Sequence, residues 1–201
     1  KFGKSTLGSI FTYLLVGTAT FLVMTVFQTL GSEFFGISDE SMDVWWHLMF
    51  YLAFASYYIG LKALIGLGTA EQSAGSIRVG AEKMWAMFAG VILIAVFIIP
   101  SSVESFILAY VNSAPGMLGL HHFLAFALSA AVGYYLLDAK KRIGQIGRAI
   151  ATPMIIAIWA FAGQHLWELM FESWKWVDVT SEVGEGGERI FLTISAIGIT
   201  Y

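Results

Sequence analysis

Five long apolar runs are the feature that most constrains how this chain can fold. A helix needs about 20 largely apolar residues to cross a hydrocarbon core of about 30 Å. Five stretches reach that length: Leu7–Leu30, Val44–Leu67, Met84–Val111, Leu118–Leu137 and Ala149–Glu172. Because unpaired backbone groups are costly in lipid, runs of this kind predict α-helices. The sequence therefore predicts an all-α, polytopic transmembrane helical bundle.

A sixth apolar run begins at Ile190 and reaches the last residue, Tyr201. It would cover only about 18 Å at the rise of an α-helix. We therefore expect this span to continue beyond residue 201, which gives a bundle of at least six spans. No long linker separates the runs, so residues 1–201 are predicted to form a single transmembrane domain.

Composition agrees with a membrane protein and narrows the chemistry. Hydrophobic residues make up 58% of the 201 residues and charged residues only 12%, whereas about a quarter of a soluble domain is charged. The net charge of −3 favours no nucleic-acid partner. Since the chain has no cysteine, disulfides, iron–sulfur clusters and thiolate zinc sites are excluded.

The segments between the apolar runs are predicted to be surface loops. They are richer in charged, small or turn-forming residues than the runs they connect. These segments are Gly31–Asp43, Gly68–Lys83, Asn112–Met117, Asp138–Arg148 and Asp178–Arg189. Within the last one, the glycine-rich stretch Gly184–Gly187 is predicted to be a flexible external turn.

The distribution of basic residues predicts the orientation of the bundle. With a cytoplasmic amino terminus, nine of the eleven Lys and Arg residues fall on the inner side, and only Lys175 and Arg189 fall outside. By the positive-inside rule this asymmetry favours an N-terminus inside the cell or organelle. Most of the acidic residues then lie in the outer loops, where they attract cations.

All four histidines fall in the outer half of the bilayer in this topology. His47 lies near the outer end of the second span, His121 and His122 begin the fourth, and His165 lies near the outer end of the fifth. Glu104 lies about two turns below the outer end of the third span. Ionisable groups at this depth are costly, so they usually face the bundle interior and mark a functional site.

The fifth span carries a spacing typical of a binding site. His165, Glu168 and Glu172 are separated by three and four residues, which places all three on one helical face. Imidazole and carboxylate groups together suit divalent zinc, copper or iron. The predicted metal ligands are therefore His165, Glu168, Glu104, His121, His122 and His47, with Glu172 expected to meet solvent.

Each predicted ligand also has a structural interpretation. His47 follows two tryptophans and is typical of an interfacial residue. His121 and His122 are about 100° apart on a helix, so both cannot point into one site. Glu104 follows Pro100 and two serines, where a carboxyl group can satisfy a kinked helix.

Three functional hypotheses remain open at this point. Imidazoles from two helices, His165 with His121 or His122, equally suit a b-type haem, which would make the chain a subunit of a membrane oxidoreductase or metalloenzyme complex. The same residues could instead form a pathway for cations or protons. The chain could also be the sensory input domain of a longer receptor. The expected partners are the lipid bilayer and other membrane subunits or a second copy of the chain.

Overall fold

The description of the fold rests on a computed structural model of the chain, which describes residues 6–36, 39–66, 104–142 and 145–200. Every regular element among these residues is a helix. The prediction of an all-α protein is therefore confirmed for this part of the chain. The described chain divides into two compact units, Lys1–Asn112 and Ser113–Tyr201. The prediction of one transmembrane domain over 1–201 stays a prediction.

The first unit is built on a pair of long helices. Its elements are α1 (Thr6–Phe35), α2 (Asp39–Gly66) and α3 (Glu104–Val111). Helices α1 and α2 bury Ile10, Tyr13 and Val16 against Leu52 and Ala63. Glycine lets the helices approach closely, since a Cβ on Gly17 would lie 2.8 Å from the ring of Tyr57.

The second unit arranges its helices around a central one. It comprises α4 (Ala114–Met117), α5 (Leu120–Arg142), α6 (Gln145–Glu168), a π-helical turn (Leu169–Ser173) and α7 (Ser181–Thr200). Helix α6 packs against both α5 and α7. The π turn continues α6 without a break, since α6 ends at Glu168 and the turn begins at Leu169.

Three helical segments are long and apolar enough to cross a membrane. Among the described residues these are Met42–Ile65, Leu120–Lys141 and Ala151–Ser173, which correspond to the second, fourth and fifth predicted spans. The first predicted span lies within α1, where the segment Ile10–Val23 is apolar but shorter. Residues 84–103 of the third span lie outside the described residues. The count of six spans and the orientation stay predictions.

All four predicted loops that the structure describes are largely helical, which corrects the loop boundaries. α4 lies within the segment Asn112–Met117, and the segment Asp138–Arg148 contains the end of α5 and the start of α6. In the segment Gly31–Asp43, α1 continues to Phe35 and α2 begins at Asp39.

The glycine-rich stretch Gly184–Gly187 is also helical, and the prediction of a flexible turn is wrong. It lies inside α7 and packs against α6 and the π turn. A Cβ on Gly184 would overlap the ring of Phe171, and a Cβ on Gly187 would lie 2.6 Å from Trp167. Trp167 also donates a hydrogen bond to the carbonyl of Gly184 at 2.9 Å. These glycines serve close helix packing rather than a bend.

Candidate metal centre in the second unit

One face of α6 carries the polar core of the site. Gln164, His165 and Glu168 are all buried, and their spacing brings them together over one helical turn. Gln164 donates from Nε2 to Oε1 of Glu168 at 2.7 Å. His165 donates from Nδ1 to Oε2 of the same carboxylate at 2.7 Å. Each oxygen of Glu168 therefore has its own partner from the same helix.

A tight turn before α5 positions the second imidazole, that of His122. Gly119 has a φ of +70°, a conformation that favours glycine. A Cβ at Gly119 would lie 2.2 Å from Oγ of Ser173, so a larger residue would collide with the π turn. The turn thus rests directly on the π turn. Three residues later, His122 is buried on α5 and reaches the face of α6.

Glu168 joins the two buried imidazoles through one oxygen atom. Oε2 of Glu168 lies 3.0 Å from Nδ1 of His122 and 2.7 Å from Nδ1 of His165. The rings of His122 and His165 have centroids 6.3 Å apart. Because a buried carboxylate is costly unless it is paired and hydrogen-bonded, this arrangement accounts for a Glu side chain that is nearly inaccessible to water. The three side chains are called the buried trio below.

The π turn places a second carboxylate beside His122. Glu172 lies within the turn, and its Oε2 is 3.5 Å from Nε2 of His122. In contrast to Glu168, the side chain of Glu172 is 48% exposed. His122 therefore has one ring nitrogen towards the buried Glu168 and the other towards the exposed Glu172. π-helical turns are rare and frequently occur at functional sites.

A third carboxylate approaches from α7. Burial, and then the negative charges of Glu168 and Glu172, raise the pKa of Glu188 to about 7, while His122 acts in the opposite direction. Glu188 precedes the sixth predicted span, which begins at Ile190. Its Oε1 is buried and accepts no hydrogen bond within the described part of the chain. Carboxyl groups of α6, the π turn and α7 therefore act electrostatically on one another and on His122.

The buried trio has the composition of a metal site. His122, His165 and Glu168 each offer a ligand atom, and these atoms lie within 4.8 Å of one another. Two imidazoles and a carboxylate are donors that zinc and other divalent transition metals accept. Within the second unit the structure thus brings together three of the six predicted ligands, and these side chains can hold a metal ion.

His121 is not part of the buried trio. His121 is only half-buried, and its ring lies against that of His122 with centroids 4.2 Å apart. The structure therefore assigns the inward position in the second unit to His122, a choice that the sequence left open. Glu104 begins α3, but its side chain lies outside the described part of the chain.

His47 is a buried imidazole of the first unit. It donates from Nδ1 to the carbonyl of Asp43 at 2.8 Å, and the carboxylate of Asp43 lies 3.3 Å from the same nitrogen. Its ring also makes an edge contact with Trp46. His47 thus stays a predicted ligand, with a nitrogen chemically able to bind a metal.

Two residues of the site, Gln164 and Glu188, are not among the ligands predicted from the sequence. Gln164 is uncharged, but its position four residues before Glu168 is a signal that could have identified it. The sequence predicts a loop at Glu188, whereas the helical structure of α7 brings this residue near Glu168. Glu172 was expected to meet solvent, which it does, while also facing His122.

Comparison with known proteins yields no relative for this chain. No protein-family model matches the sequence, and no curated protein or solved structure shows significant similarity to it. The functional argument therefore rests on the geometry of the site.

Proposed function

We propose that this chain is an integral membrane protein that binds a divalent transition-metal ion at the buried trio. The single observation that carries the proposal is the shared oxygen of Glu168, which lies within 3.0 Å of two buried imidazoles from different helices. In a tetrahedral site with metal–ligand distances of about 2.0–2.1 Å, neighbouring ligand atoms are about 3.3 Å apart. The two distances from Glu168 to the imidazoles would need to lengthen by only about 0.3–0.6 Å, and the metal would replace the Nδ1 protons.

The ligand set suits an ion better than haem. A b-type haem needs its iron and flat ring system between the two axial imidazoles. Between His122 and His165 this space is occupied by the carboxylate of Glu168, which touches both rings. A single ion requires no such gap. We therefore favour zinc, copper or iron as a bare ion over haem as the cofactor.

The number of ligands suggests what the ion does. Three protein ligands with a fourth position left for water or substrate are typical of catalytic zinc sites. There the metal acts as a Lewis acid, while copper or iron would add redox chemistry. On this basis we propose that the chain is a subunit of a membrane metalloenzyme or oxidoreductase complex.

Metal analysis tests this function directly. The full chain, purified in detergent, is expected to retain close to one equivalent of zinc, copper or iron after dialysis. A variant with His122→Gln and His165→Gln should lose it, while Glu185→Gln, which changes an exposed side chain paired with Arg189, should not. Retention of metal by the double variant would overturn the proposal. A Soret band in the visible spectrum would favour haem instead.

The topology of the proposal has its own test. We infer six spans with the amino terminus inside, and a trio in the outer half of the bilayer, from the nine-to-two asymmetry of basic residues. A single cysteine at Gly186, where a Cβ meets nothing within 4 Å, should react with an impermeant thiol reagent from outside. A cysteine at Gly144 should be protected. The reverse pattern of labelling would invert the topology.

A second candidate function is cation or proton transport. The observation that favours it is the succession of carboxylates from buried Glu168 to half-exposed Glu172. Such a succession is typical of a pathway as well as of a site. Flux into liposomes that disappears in Glu168→Gln, without retained metal in the wild type, would make transport the better interpretation.

A further inference from the structure

The buried trio is inaccessible to water, so an ion must reach it past neighbouring side chains. His122, His165 and Glu168 are all nearly inaccessible. Among the described carboxylates with a contact to the trio, Glu172 is the one with a substantially exposed side chain. An ion that approaches from water therefore meets Glu172 before it meets Glu168.

The imidazole of His122 lies between these two carboxylates. Its Nδ1 faces Glu168 at 3.0 Å and its Nε2 faces Glu172 at 3.5 Å. The second distance is close to the spacing of about 3.3 Å that neighbouring ligand atoms have around a zinc ion. The outer pair, Nε2 of His122 and the carboxylate of Glu172, is thus already spaced as two ligands of one cation.

We propose that Glu172 and His122 form a loading position, where a divalent cation binds transiently before it passes to the buried trio. This inference rests on the proposed function and names how that site is filled. The carboxylate replaces part of the ion's water shell at the surface, and the imidazole of His122 is shared between the outer and the inner position. No bond to carbon or change of oxidation state is involved.

The surrounding charge supports the direction of transfer. Glu188 adds a carboxyl group from α7 beside Glu168 and Glu172. Clefts lined by one sign of charge raise the local concentration of the opposite ion and can increase association rates by about 10-fold or more. The inner position then holds the ion more firmly, because it offers two imidazoles and a carboxylate away from water.

Kinetics with Co²⁺ alone distinguish a loading position from a resident ligand. In stopped-flow absorption on the full chain in detergent, Glu172→Gln should lower the association rate by about 10-fold. The dissociation rate should fall by a similar factor, because the ion leaves by the same route, and the Kd should change much less. Glu185→Gln, which removes an equal charge from an exposed ion pair with Arg189, should leave both rates unchanged.

Each other outcome overturns a different statement. An unchanged association rate in Glu172→Gln would refute the loading position while leaving the trio intact. A weaker Kd with an unchanged association rate would make Glu172 a permanent ligand. If the wild type does not bind Co²⁺, Zn²⁺ or Cu²⁺ saturably, the proposed function fails, and the loading position fails with it.

Discussion

The two units of this protein differ in how their polar side chains are hydrogen-bonded. In the first unit, three hydroxyls donate to the carbonyl four residues earlier: Thr12 to Gly8, Thr20 to Val16 and Ser56 to Leu52. His47 does the same with Asp43. Such bonds satisfy a polar group within its own helix and need no partner elsewhere. Thr18 also pairs with the hydroxyl of Tyr57 on the neighbouring helix at 3.1 Å, but neither of these groups is charged.

In the second unit, polar side chains converge from separate segments of the chain. His122 of α5 meets Glu168 of α6 and Glu172 of the π turn. Ser129 still bonds locally to Ala125, so the difference concerns the ionisable groups. Because burying ionisable groups together costs more than a local bond, their convergence suggests a function, whereas the local bonds of the first unit serve the fold.

The largest expected effect is a loss of folding stability, which should be greater for the shared carboxylate of the second unit than for a local hydroxyl of the first. Glu168→Ala leaves His122, His165 and Gln164 without the carboxylate they share, and should destabilise the metal-free protein by about 3–5 kcal/mol. Ser56→Ala, in the first unit, removes only a bond within α2 and should cost about 1 kcal/mol or less. Unfolding of both variants by denaturant in detergent would measure this. Equal losses would contradict the distinction between the units.

Two glycines with positive φ test whether the close contact between the turn before α5 and the π turn contributes to stability. Gly36 and Gly119 both have positive φ, but a Cβ on Gly36 meets nothing within 4 Å. Gly36→Ala should therefore cost only the backbone strain, about 1–2 kcal/mol. Gly119→Ala adds a collision with Ser173 and should cost about 2–4 kcal/mol. Thermal unfolding should rank them in this order, and a reversed order would mean that the close contact at Ser173 is unimportant.

Gln164 offers a test of metal affinity without removal of a ligand. Gln164→Leu frees Oε1 of Glu168 from its hydrogen bond, so the carboxylate is less firmly oriented. The affinity for Zn²⁺ should fall by about 10-fold, as for other residues that orient a metal ligand. Thr20→Val, which removes a local bond of the first unit, should leave the affinity unchanged in competition titrations. An unaltered affinity in Gln164→Leu would show that Gln164 does not orient the carboxylate of Glu168 for metal binding.

A separate expected effect is a change in pH dependence at Glu188. Its pKa is raised to about 7 in the fold, against an ordinary value of 4.5. The fold therefore favours the protonated carboxyl, and its stability should be greatest below pH 4.5 and fall as the pH rises towards 7. In metal-free protein, Glu188→Gln should flatten the melting temperature over this range. A slope equal to that of the wild type would assign the dependence to another group.

Much of the fold could be predicted because hydrophobic length is a local property. The runs Val44–Leu67, Leu118–Leu137 and Ala149–Glu172 follow from apolar composition and length, and the apolar helical segments Met42–Ile65, Leu120–Lys141 and Ala151–Ser173 overlap most of each run. The loop boundaries were less predictable, since glycine is typical of turns and of close helix contacts alike. Only the rings of Trp167 and Phe171 distinguish the two at Gly184 and Gly187.

The sequence predicts which site residues share one helix face, but not which residues of different helices come together. The spacing of His165, Glu168 and Glu172 in the sequence already places them on one face. By contrast, His121 and His122 differ by one step of about 100°. The packing of α5 on α6, with the turn at Gly119, decides which of the two points inward. Glu188 could not be assigned, because its position depends on α7 being a helix.

Zinc K-edge X-ray absorption of the purified full chain tests the central claim most directly. The account predicts that bound zinc has nitrogen and oxygen neighbours at about 2.0–2.2 Å, with imidazole scattering from two rings. In His165→Gln the contribution of one imidazole should disappear. A spectrum with oxygen neighbours alone, or one that His165→Gln leaves unchanged, would contradict the assignment of the buried trio as the metal site.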